Sequence, residues 1–579
     1  MVRLPRFVVA AAASGQGKTT VAVGIMAALS RRGLEVAPAK VGPDYIDPGY
    51  HALATGRPGR NLDPWLQGED QLLPLLLNGF RTPRLADLAV VEGVMGLFDG
   101  RLGTQGWAST AHVATVTSSP VVLVVDISSA ARTVAATVHG LRTFDSAVRV
   151  AGVVLNKSGS PRHADEVRRS VEATGVPVLG VLPRDAGVSA PSRHLGLVPA
   201  AERPDAESAL DRLAEQTARF VDLDALLEIA STAPDVQATP WSPPTRVDRP
   251  PRVVAVAGGR AFTFRYAETD ELLRALGCEP VVFDPAVDTS LPTGTSGIYL
   301  GGGFPEVYAA SLATNRALLA EVREAVAAGV PTVAECAGLL YLSQAVDGHA
   351  LVGAVPAQAA MHPRLTLRYR TATTNHDSLL GPAGTTVRGH EFHRTRLDPG
   401  HGPTPAWLLD GDPEGFSLAP TGRPSVHASY LHTHWAGHPE LAAHFAAAVH
   451  ASGAATSGPA VPATVPAVHD PACSRPSRSR PSRTRPSRSR PGRQRPARPP
   501  RRRRARRHPR RLRRQRPGQR TAALAGDRAA RRGRHARGIP STRRGAGRSC
   551  APPRGRRRHG AADQRSGRGV RTAGGRPGP

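Results

Sequence analysis

Short apolar runs alternate with longer amphipathic stretches along the first 232 residues of the chain. The runs are rich in Val and Leu without polar alternation, a pattern typical of parallel strands that are buried on both faces. The stretches between them are long enough for helices. We therefore expect an α/β domain over residues 5–232, with a parallel sheet covered by helices on both sides. The strands predicted after the first run are residues 36–41, 88–91, 121–125, 150–155 and 178–181.

The first apolar run, residues 7–13, leads directly into the sequence Ser-Gly-Gln-Gly-Lys-Thr-Thr at residues 14–20. A glycine-rich bend between a strand and a helix binds anions, because its backbone N–H groups converge at the positive end of the helix dipole. A tight strand-to-helix turn is the alternative, but Lys and Thr stand at the offset that phosphate binding requires. ATP is the predicted cofactor, and the residues predicted to bind it here are Gly15, Gly17, Lys18, Thr19 and Thr20.

Acidic residues follow the next two strands. Asp44 and Asp47 lie in a Pro/Gly-rich loop after residues 36–41, and Glu92 and Asp99 lie in a glycine-rich loop after residues 88–91. A single Asp in such a loop is usually a turn former. The carboxyl ends of parallel strands, however, share one edge of the sheet, where ligands of α/β proteins bind. Carboxylates on that edge, beside a phosphate loop, indicate a Mg²⁺ site.

Residues 233–251 are rich in Pro and show neither helical nor strand periodicity, so we interpret them as a linker. Residues 252–451 form a second predicted α/β domain, in which Cys336 lies between a strand and a helix. This nucleophile-elbow arrangement exposes a side chain at a helix N-terminus and is expected to lower the pKa of the thiol. A preceding strand ends in three glycines, and the backbone N–H groups of Gly302 and Gly303 are predicted to form an oxyanion hole.

Two histidines follow Tyr430 on a predicted strand. Alternation along the strand places His432 and His434 on one face, so either imidazole is a candidate base for the thiol. A metal site would need a third ligand, which the neighbouring sequence does not supply. The sequence Gly-His-Glu-Phe-His at residues 389–393 does not have the spacing of a zinc site either.

These segments together resemble the cobyrinic acid a,c-diamide synthases and their hydrogenobyrinic acid counterparts. The resemblance rests on residues 14–20, 40–48, 61–65 (Asn-Leu-Asp-Pro-Trp), 92–100 and the Cys336 region. It implies a dethiobiotin-synthetase-like P-loop domain followed by a class I glutamine amidotransferase domain. It also implies that ATP phosphorylates a corrin carboxylate and that ammonia from glutamine displaces the phosphate, which amidates the a and c acetate side chains.

The resemblance also implies roles for individual residues. Cys336 attacks glutamine, and His432 is favoured over His434 as the base. Asn156, at the end of a strand, is expected to face the nucleotide. The implied Mg²⁺ ligands are Thr19, Asp44 and Glu92, and the acidic residues implied near the substrate are Asp44, Asp47 and Asp99.

Composition changes the interpretation at the C-terminal end. Residues 451–579 contain 38 Arg, no Lys and 3 Asp, whereas the first 450 residues carry a formal net charge of −5. We expect the tail, residues 452–579, to be disordered. Binding of nucleic acid by the tail is one interpretation, and an out-of-frame reading of GC-rich DNA is the favoured one. Four scattered cysteines and no apolar run long enough to span a bilayer lead us to expect a cytoplasmic protein.

Several alternatives stay open at this point. The substrate could be another acid, as in cobyric acid formation or amidation of a nickel tetrapyrrole, and the corrin could carry cobalt or lack it. A partitioning-type ATPase has a similar phosphate loop, but that function has no use for the Cys/His domain. The expected partners are small molecules (the corrin acid, glutamine and ATP), with a homodimer as one hypothesis for the assembly.

Overall fold

A computed structural model of the chain describes residues 1–185, 192–193, 196–244 and 250–452. The first domain contains seven longer strands and a two-stranded hairpin. The strands are β1 (Arg6–Ala11), β2 (Val36–Val41), β3 (Arg60–Leu62), β4 (Leu88–Glu92), β5 (Val121–Asp126), β6 (Val150–Ser158), β7 (Val178–Pro183), β8 (Ser192–Arg193) and β9 (Gly196–Leu197). The helices are α1 (Lys18–Arg31), α2 (Ile46–Thr55), α3 (Glu69–Arg81), α4 (Thr110–Val116), α5 (Thr133–Thr143), α6 (Pro161–Glu172), α7 (Ala206–Phe220) and α8 (Leu223–Ser231).

The seven longer strands form one parallel sheet in the order β3-β2-β4-β1-β5-β6-β7. The parallel sheet and all five strands predicted from apolar runs are confirmed. Alternate residues of the strands pack into two apolar clusters, one on each face of the sheet. Because β1 pairs with both β4 and β5, the phosphate loop after β1 lies at the centre of the carboxyl edge.

The second domain contains a mixed set of strands. They are β10 (Arg252–Ala257), β11 (Cys278–Phe283), β12 (Thr295–Leu300), β13 (Thr332–Glu335), β14 (Ser343–Val346), β15 (His349–Ala350), β16 (Val355–Thr373), β17 (Thr386–Asp398), β18 (Trp407–Leu409), β19 (Asp412–Glu414), β20 (Phe416–Leu418), β21 (Val426–Ser429) and β22 (His432–Thr433). The helices are α9 (Ala267–Ala275), α10 (Pro305–Thr314), α11 (Arg316–Ala327), α12 (Ala337–Leu342) and α13 (Pro439–Ala451).

The second domain contains two sheets. One has the order β11-β10-β12-β13-β21-β20, and only its edge strand β20 runs antiparallel to its neighbour. The other contains the long hairpin of β16 and β17, and β22 pairs with β17. The α/β class predicted for this half is confirmed. The hairpin was not predicted, because the residues of β16 are mostly exposed and lack an apolar run.

Parts of the linker contact the first domain. Val236 pairs with Val2, and the backbone N–H of Trp241 donates to the carbonyl of Pro74 at 2.9 Å. The tail predicted to be disordered lies outside the described residues from 453 onward. No helix in the described part of the chain combines the length and the apolar composition needed to cross a lipid bilayer.

A buried ion network joins the two domains. The guanidinium of Arg60, on β3, lies 2.6 Å from Glu268 and 2.5 Å from Glu271, both on α9. Arg60 is 2% exposed, so the two carboxylates compensate its charge away from water. The arrangement holds the edge of the first sheet against the second domain.

Candidate active site

The phosphate loop has the backbone that its sequence predicts. Gly15 and Gly17 adopt positive φ angles of 81° and 87°, and α1 begins directly afterwards with Lys18, Thr19 and Thr20 in its first turn. A Cβ on Gly17 would lie 2.2 Å from the side-chain nitrogen of Asn156, so only glycine fits there.

Asn156 closes this loop from the neighbouring strand β6. Its amide donates to the carbonyl of Gln16 at 3.0 Å, and the Gln16 side chain accepts from the backbone N–H of Asp126. The structure thus places Asn156 on the loop backbone, where it fixes the phosphate loop, and its predicted role facing the nucleotide stays a prediction.

Lys18 reaches out of α1 toward the loop that follows β4. Its ammonium donates to the carbonyl of Met95 at 2.9 Å. Burial and the nearby ammonium of Lys40 lower the pKa of Lys18 to about 8. A phosphate at this position would favour the charged form of Lys18, which burial disfavours.

An ion cluster lies beside the phosphate loop. The ammonium of Lys40 is 2.6 Å from Asp47 and 3.1 Å from Glu92, and His51 contacts the other oxygen of Glu92 at 2.7 Å. Burial would raise the pKa of Glu92, but Lys40 and His51 outweigh it and hold the pKa well below its ordinary value. Glu92 is therefore ionised.

The donor atoms of this cluster fit Mg²⁺. The hydroxyl of Thr19 lies 2.5 Å from Glu92 and 3.4 Å from Asp47, which brings hard oxygen ligands together at the phosphate loop. Among the described residues, no group of three or more His, Cys, Asp or Glu side chains could hold a metal by itself. The ion would therefore depend on the threonine hydroxyl and on phosphate oxygens.

The other two predicted acidic residues stabilise their own loops. Asp44 accepts a hydrogen bond from the backbone N–H of Ile46 at 2.8 Å, and Asp99 accepts one from Gly96 at 3.0 Å. These are turn-forming contacts. Asp44 also lies close enough to the ion cluster to raise the pKa values of Lys18 and Lys40, and its role as a Mg²⁺ ligand stays a prediction.

Two members of the ion cluster, Lys40 and His51, were not predicted from the sequence. Lys40 belongs to the segment that carried the resemblance but was given no role, and His51 was not considered. His51 follows Asp47 by four residues on α2, which places both side chains on one face of the helix. That spacing was the available signal.

Cys336 occupies a strained turn between β13 and α12. Its φ of 48° and ψ of −93° lie outside the regions that L-residues favour, as expected for a nucleophile elbow. A Cβ on Gly338 would lie 2.3 Å from the carbonyl of Leu300, so the turn requires glycine two residues after the cysteine. The sulfur lies 4.0 Å from the carbonyl of Phe392 and is buried.

The expected lowering of the thiol pKa is wrong for this structure. Burial is the largest effect and, with the carboxylate of Glu306, it raises the pKa of Cys336 far above its ordinary value. Hydrogen bonds from the backbone N–H groups of Ala337 and Gly303 lower it, but by less. The short helix α12 therefore does not decide the state of the thiol, which is protonated.

The predicted oxyanion hole also differs in one residue. The backbone N–H of Gly302 donates to the carbonyl of Phe264 at 3.1 Å and is not available. The N–H groups that face the sulfur belong to Gly303 and to Ala337, the residue after the nucleophile. Ala337 could have been found from the nucleophile-elbow pattern.

The two candidate histidines, His432 and His434, have different neighbours in the structure. A Cβ on Gly302 would lie 2.4 Å from Cε1 of His432, so His432 packs directly against the glycine turn. Its Nε2 atom is buried without a hydrogen-bond partner and makes no hydrogen bond to Cys336. His434 instead packs on Tyr266 with ring centroids 4.2 Å apart and lies 3.5 Å from Glu268. His432 is the better-placed candidate.

Glu335 connects the nucleophile to the strand of His432. Its carboxylate accepts hydrogen bonds from the hydroxyl of Thr433 at 2.8 Å and from Tyr299 at 3.0 Å. Burial raises the pKa of Glu335 to about 7. Glu335 directly precedes Cys336 and Thr433 directly follows His432, so this bond fixes the two elements relative to each other.

Tyr45 lies between the two sites. It belongs to the loop of Asp44 and Asp47, its ring stacks on Phe264 with centroids 5.0 Å apart, and its hydroxyl is 3.4 Å from Nδ1 of His432. The P-loop site and the cysteine site are therefore joined through one aromatic side chain.

Each half of the chain matches a known domain family. Residues 7–198 match the CobQ/CobB/MinD/ParA nucleotide binding domain, and residues 253–440 match the CobB/CobQ-like glutamine amidotransferase domain. A hydrogenobyrinate a,c-diamide synthase of Thermobifida fusca is 59% identical over 459 residues, which cover 77% of this chain and 97% of that protein.

Two further relatives show the same coverage at lower identity. A hydrogenobyrinate a,c-diamide synthase of Streptomyces coelicolor is 50% identical over 76% of this chain and 97% of its own length. A cobyrinate a,c-diamide synthase of Synechococcus is 42% identical, again over 76% of this chain and 97% of its own length.

Proposed function

The chain belongs to the family of hydrogenobyrinate and cobyrinate a,c-diamide synthases, and we propose that it amidates the a and c carboxylates of a corrin acid with ATP and glutamine. It is accordingly a carbon–nitrogen ligase with a nucleotide-binding domain and a glutamine amidotransferase domain. The observation that supports the proposal most is the contact of Tyr45, in the loop of Asp44 and Asp47, with His432 of the second domain.

In the first reaction, a substrate carboxylate oxygen attacks the γ-phosphorus of ATP and ADP leaves, which gives an acyl phosphate. The ammonium of Lys18 is placed to neutralise charge on the phosphates, while Lys40 holds Glu92 and Asp47 in position. Mg²⁺, held by Thr19 and Glu92, would supply further positive charge at the phosphates.

In the second reaction, the sulfur of Cys336 attacks the side-chain amide carbon of glutamine while His432 takes the thiol proton. The N–H groups of Gly303 and Ala337 are placed to stabilise the oxyanion. Collapse of the tetrahedral intermediate releases ammonia, and water hydrolyses the remaining thioester to glutamate. The ammonia then attacks the acyl phosphate, phosphate leaves and the amide is formed.

The cobalt-free acid is the substrate that we favour. The relatives at 59% and 50% identity are hydrogenobyrinate a,c-diamide synthases, while the cobyrinate enzyme is 42% identical. We further propose a cytoplasmic enzyme. A homodimer stays a hypothesis from the sequence, and so does the favoured interpretation of the tail as an out-of-frame reading instead of a nucleic-acid-binding segment.

The test is to incubate the purified protein with hydrogenobyrinic and cobyrinic acids side by side, with ATP and glutamine. We expect mono- and diamides by mass spectrometry, together with ADP and glutamate, and a higher kcat/KM for the cobalt-free acid. ATP hydrolysis without amidation of either acid would overturn the proposal, and preference for the cobalt form would overturn only the choice of substrate.

A further inference from the structure

Two arginines lie over one tryptophan ring at the surface where the domains meet. The guanidinium carbons of Arg101 and Arg388 are 4.3 Å and 5.0 Å from the centroid of Trp65. The indole N–H donates to the carbonyl of Gly389 at 3.1 Å, so the ring is fixed to the second domain. Trp65 closes the Asn-Leu-Asp-Pro-Trp segment, for which the reactions above give no role.

The two positive charges have no carboxylate partner among the residues that the structure describes. Neither Arg101 nor Arg388 forms an ion pair within the described ranges, whereas the buried Arg60 has two carboxylate partners. Each guanidinium lies within 5.0 Å of the same ring centroid, so the charges are no farther apart than about a Debye length, ~10 Å at 0.1 M salt. Both side chains are exposed.

The buried carboxylate of Asp63 fixes the backbone that carries the Trp65 ring. Asp63 accepts hydrogen bonds from the backbone N–H of Trp65 at 2.8 Å and from the hydroxyl of Tyr369 at 2.6 Å. Two aromatic rings contact the Trp65 ring: that of Tyr369, with centroids 5.7 Å apart, and that of Trp107, edge-on with centroids 6.4 Å apart. The platform, defined as Trp65, Arg101 and Arg388, is therefore built on a rigid polar and aromatic base.

The platform is attached to the loops of the phosphate site. The side chain of Asn61, in the same segment, donates to the carbonyls of Gly42 and Asp44 at 2.8 and 2.7 Å. Arg101 follows Asp99 on the loop that begins at Glu92. A ligand on the platform would thus be adjacent to the site that activates a carboxylate.

We propose that Trp65, Arg101 and Arg388 form a subsite for the non-reacting carboxylates of a flat polyacidic macrocycle. This inference rests on the proposed function and deepens it. Arginine suits the role because its planar guanidinium binds carboxylates in a bidentate manner and stacks on conjugated rings. The subsite takes one arginine from each domain, so the substrate bridges the domains.

The test compares Arg101→Gln, Arg388→Gln and the double variant with wild type. We expect the KM for the corrin acid to rise about 3- to 5-fold in each single variant, because each loses one exposed, screened contact with a carboxylate, and more in the double variant. The KM values for ATP and glutamine and the kcat should stay within about twofold. The slope of log KM for the acid against log salt concentration should also decrease.

Arg219→Gln is the matched control. Its guanidinium carbon also lies over an aromatic ring, 5.1 Å from the centroid of Phe220, but on α7 and outside the site. We expect this variant to have wild-type KM values. Thermal melting of each variant separates a local effect from loss of folding.

Three outcomes would overturn the inference while the proposed function stands. They are an unchanged KM for the acid in the double variant, a rise in the KM for ATP instead, or an equal effect in Arg219→Gln. Binding of hydrogenobyrinic acid without ATP, followed by tryptophan fluorescence, provides an independent readout, and we expect wild type to bind and the double variant to lose binding. If wild type forms no amide with any corrin acid, the proposed function itself fails.

Discussion

The two reaction sites differ in whether their buried side chains are ionised or neutral. At the phosphate loop, Lys40 and Glu92 are buried as ions 3.1 Å apart, and Asp47 lies 2.6 Å from the same ammonium although burial raises its pKa. At the cysteine site, burial keeps the thiol of Cys336 protonated and lowers the pKa of His432, so both groups are neutral. One site is preorganised by fixed charges, and the other is held neutral by desolvation.

This difference indicates when each site becomes active. The charges of Lys40 and Glu92 in the ion cluster are in place before ATP and Mg²⁺ bind. The cysteine site must create a thiolate and an imidazolium in an apolar environment, so it gains activity when the glutamine amide and the backbone N–H groups of Gly303 and Ala337 stabilise that charge.

The largest expected effects come from removing one key group at each site. Cys336→Ala removes the nucleophile, so glutamine-driven amidation should fall by about 10³-fold or more while ammonium salts still support turnover. Lys18→Ala should abolish turnover with both nitrogen sources. ADP release measured with glutamine and with ammonium chloride distinguishes them. Equal losses from Cys336→Ala with both sources would contradict two separable sites.

A smaller effect is expected from Gly302→Ala. The added Cβ would lie 2.4 Å from Cε1 of His432 and 3.0 Å from Cβ of Phe264, so the imidazole must move. A displacement of about 1 Å typically costs ~10²-fold, and we expect this loss in glutaminase activity only. Gly140→Ala is the control, because a Cβ there has no neighbour within 4 Å. Unchanged glutaminase activity in Gly302→Ala would argue against His432 as the base.

The state of the thiol can be measured by alkylation. Because burial raises the pKa of Cys336, its reaction with iodoacetamide near pH 7 should be more than about tenfold slower than that of a free thiol with a pKa of ~8.5. The rate should keep rising above pH 9. Mass spectrometry of the peptide containing Cys336 measures it. An inflection below pH 7 would mean that a thiolate–imidazolium pair already exists in the free enzyme.

The smallest expected effect concerns acid stability. His427 packs on Trp407, neither ring nitrogen has a partner, and burial lowers its pKa to about 3. A base with a lowered pKa binds fewer protons in the folded than in the unfolded state, so stability is lost as pH falls below ~6.5. His427→Leu should remove this loss, a difference of about 1 kcal/mol between pH 7 and pH 5.5 in urea unfolding.

A parallel loss of stability in wild type and His427→Leu would show that His427 is protonated without cost. Glu335 and Glu414 act in the opposite direction in the same domain, since burial raises the pKa of each to about 7. Their contribution is present at low pH and is lost as pH rises from ~4.5 toward 7. The comparison with a matched variant isolates the histidine from these groups.

The elements that could be predicted are those whose signal is local. The strands of the first sheet are continuous Val and Leu runs, and the phosphate loop and the cysteine turn are short motifs. By contrast β3 has three residues, too few for any period, and β16 is mostly exposed. Its pairing with β17 depends on tertiary structure rather than on an apolar pattern.

The site residues, too, could be predicted where their signal is local. Thr19 and Glu92 were predicted together, whereas Lys40 and Tyr45 gain their roles only because separate loops and domains meet. The thiol pKa was predicted in the wrong direction, because the helix terminus is a local feature and burial is a global one. Asp44 as a Mg²⁺ ligand and Asp99 as an acidic residue near the substrate stay predictions, and each also accepts a hydrogen bond from a backbone N–H within its own loop.

The buried bridge from Arg60 to Glu268 and Glu271 has a consequence for how the protein can be divided. Expressed alone, either half would lack its partners in this ion network and would expose to water the surface that the network covers. The halves are therefore not interchangeable modules. A chimaera that joins this P-loop half to an unrelated glutaminase would need carboxylates at the two positions on α9 before its parts could cooperate.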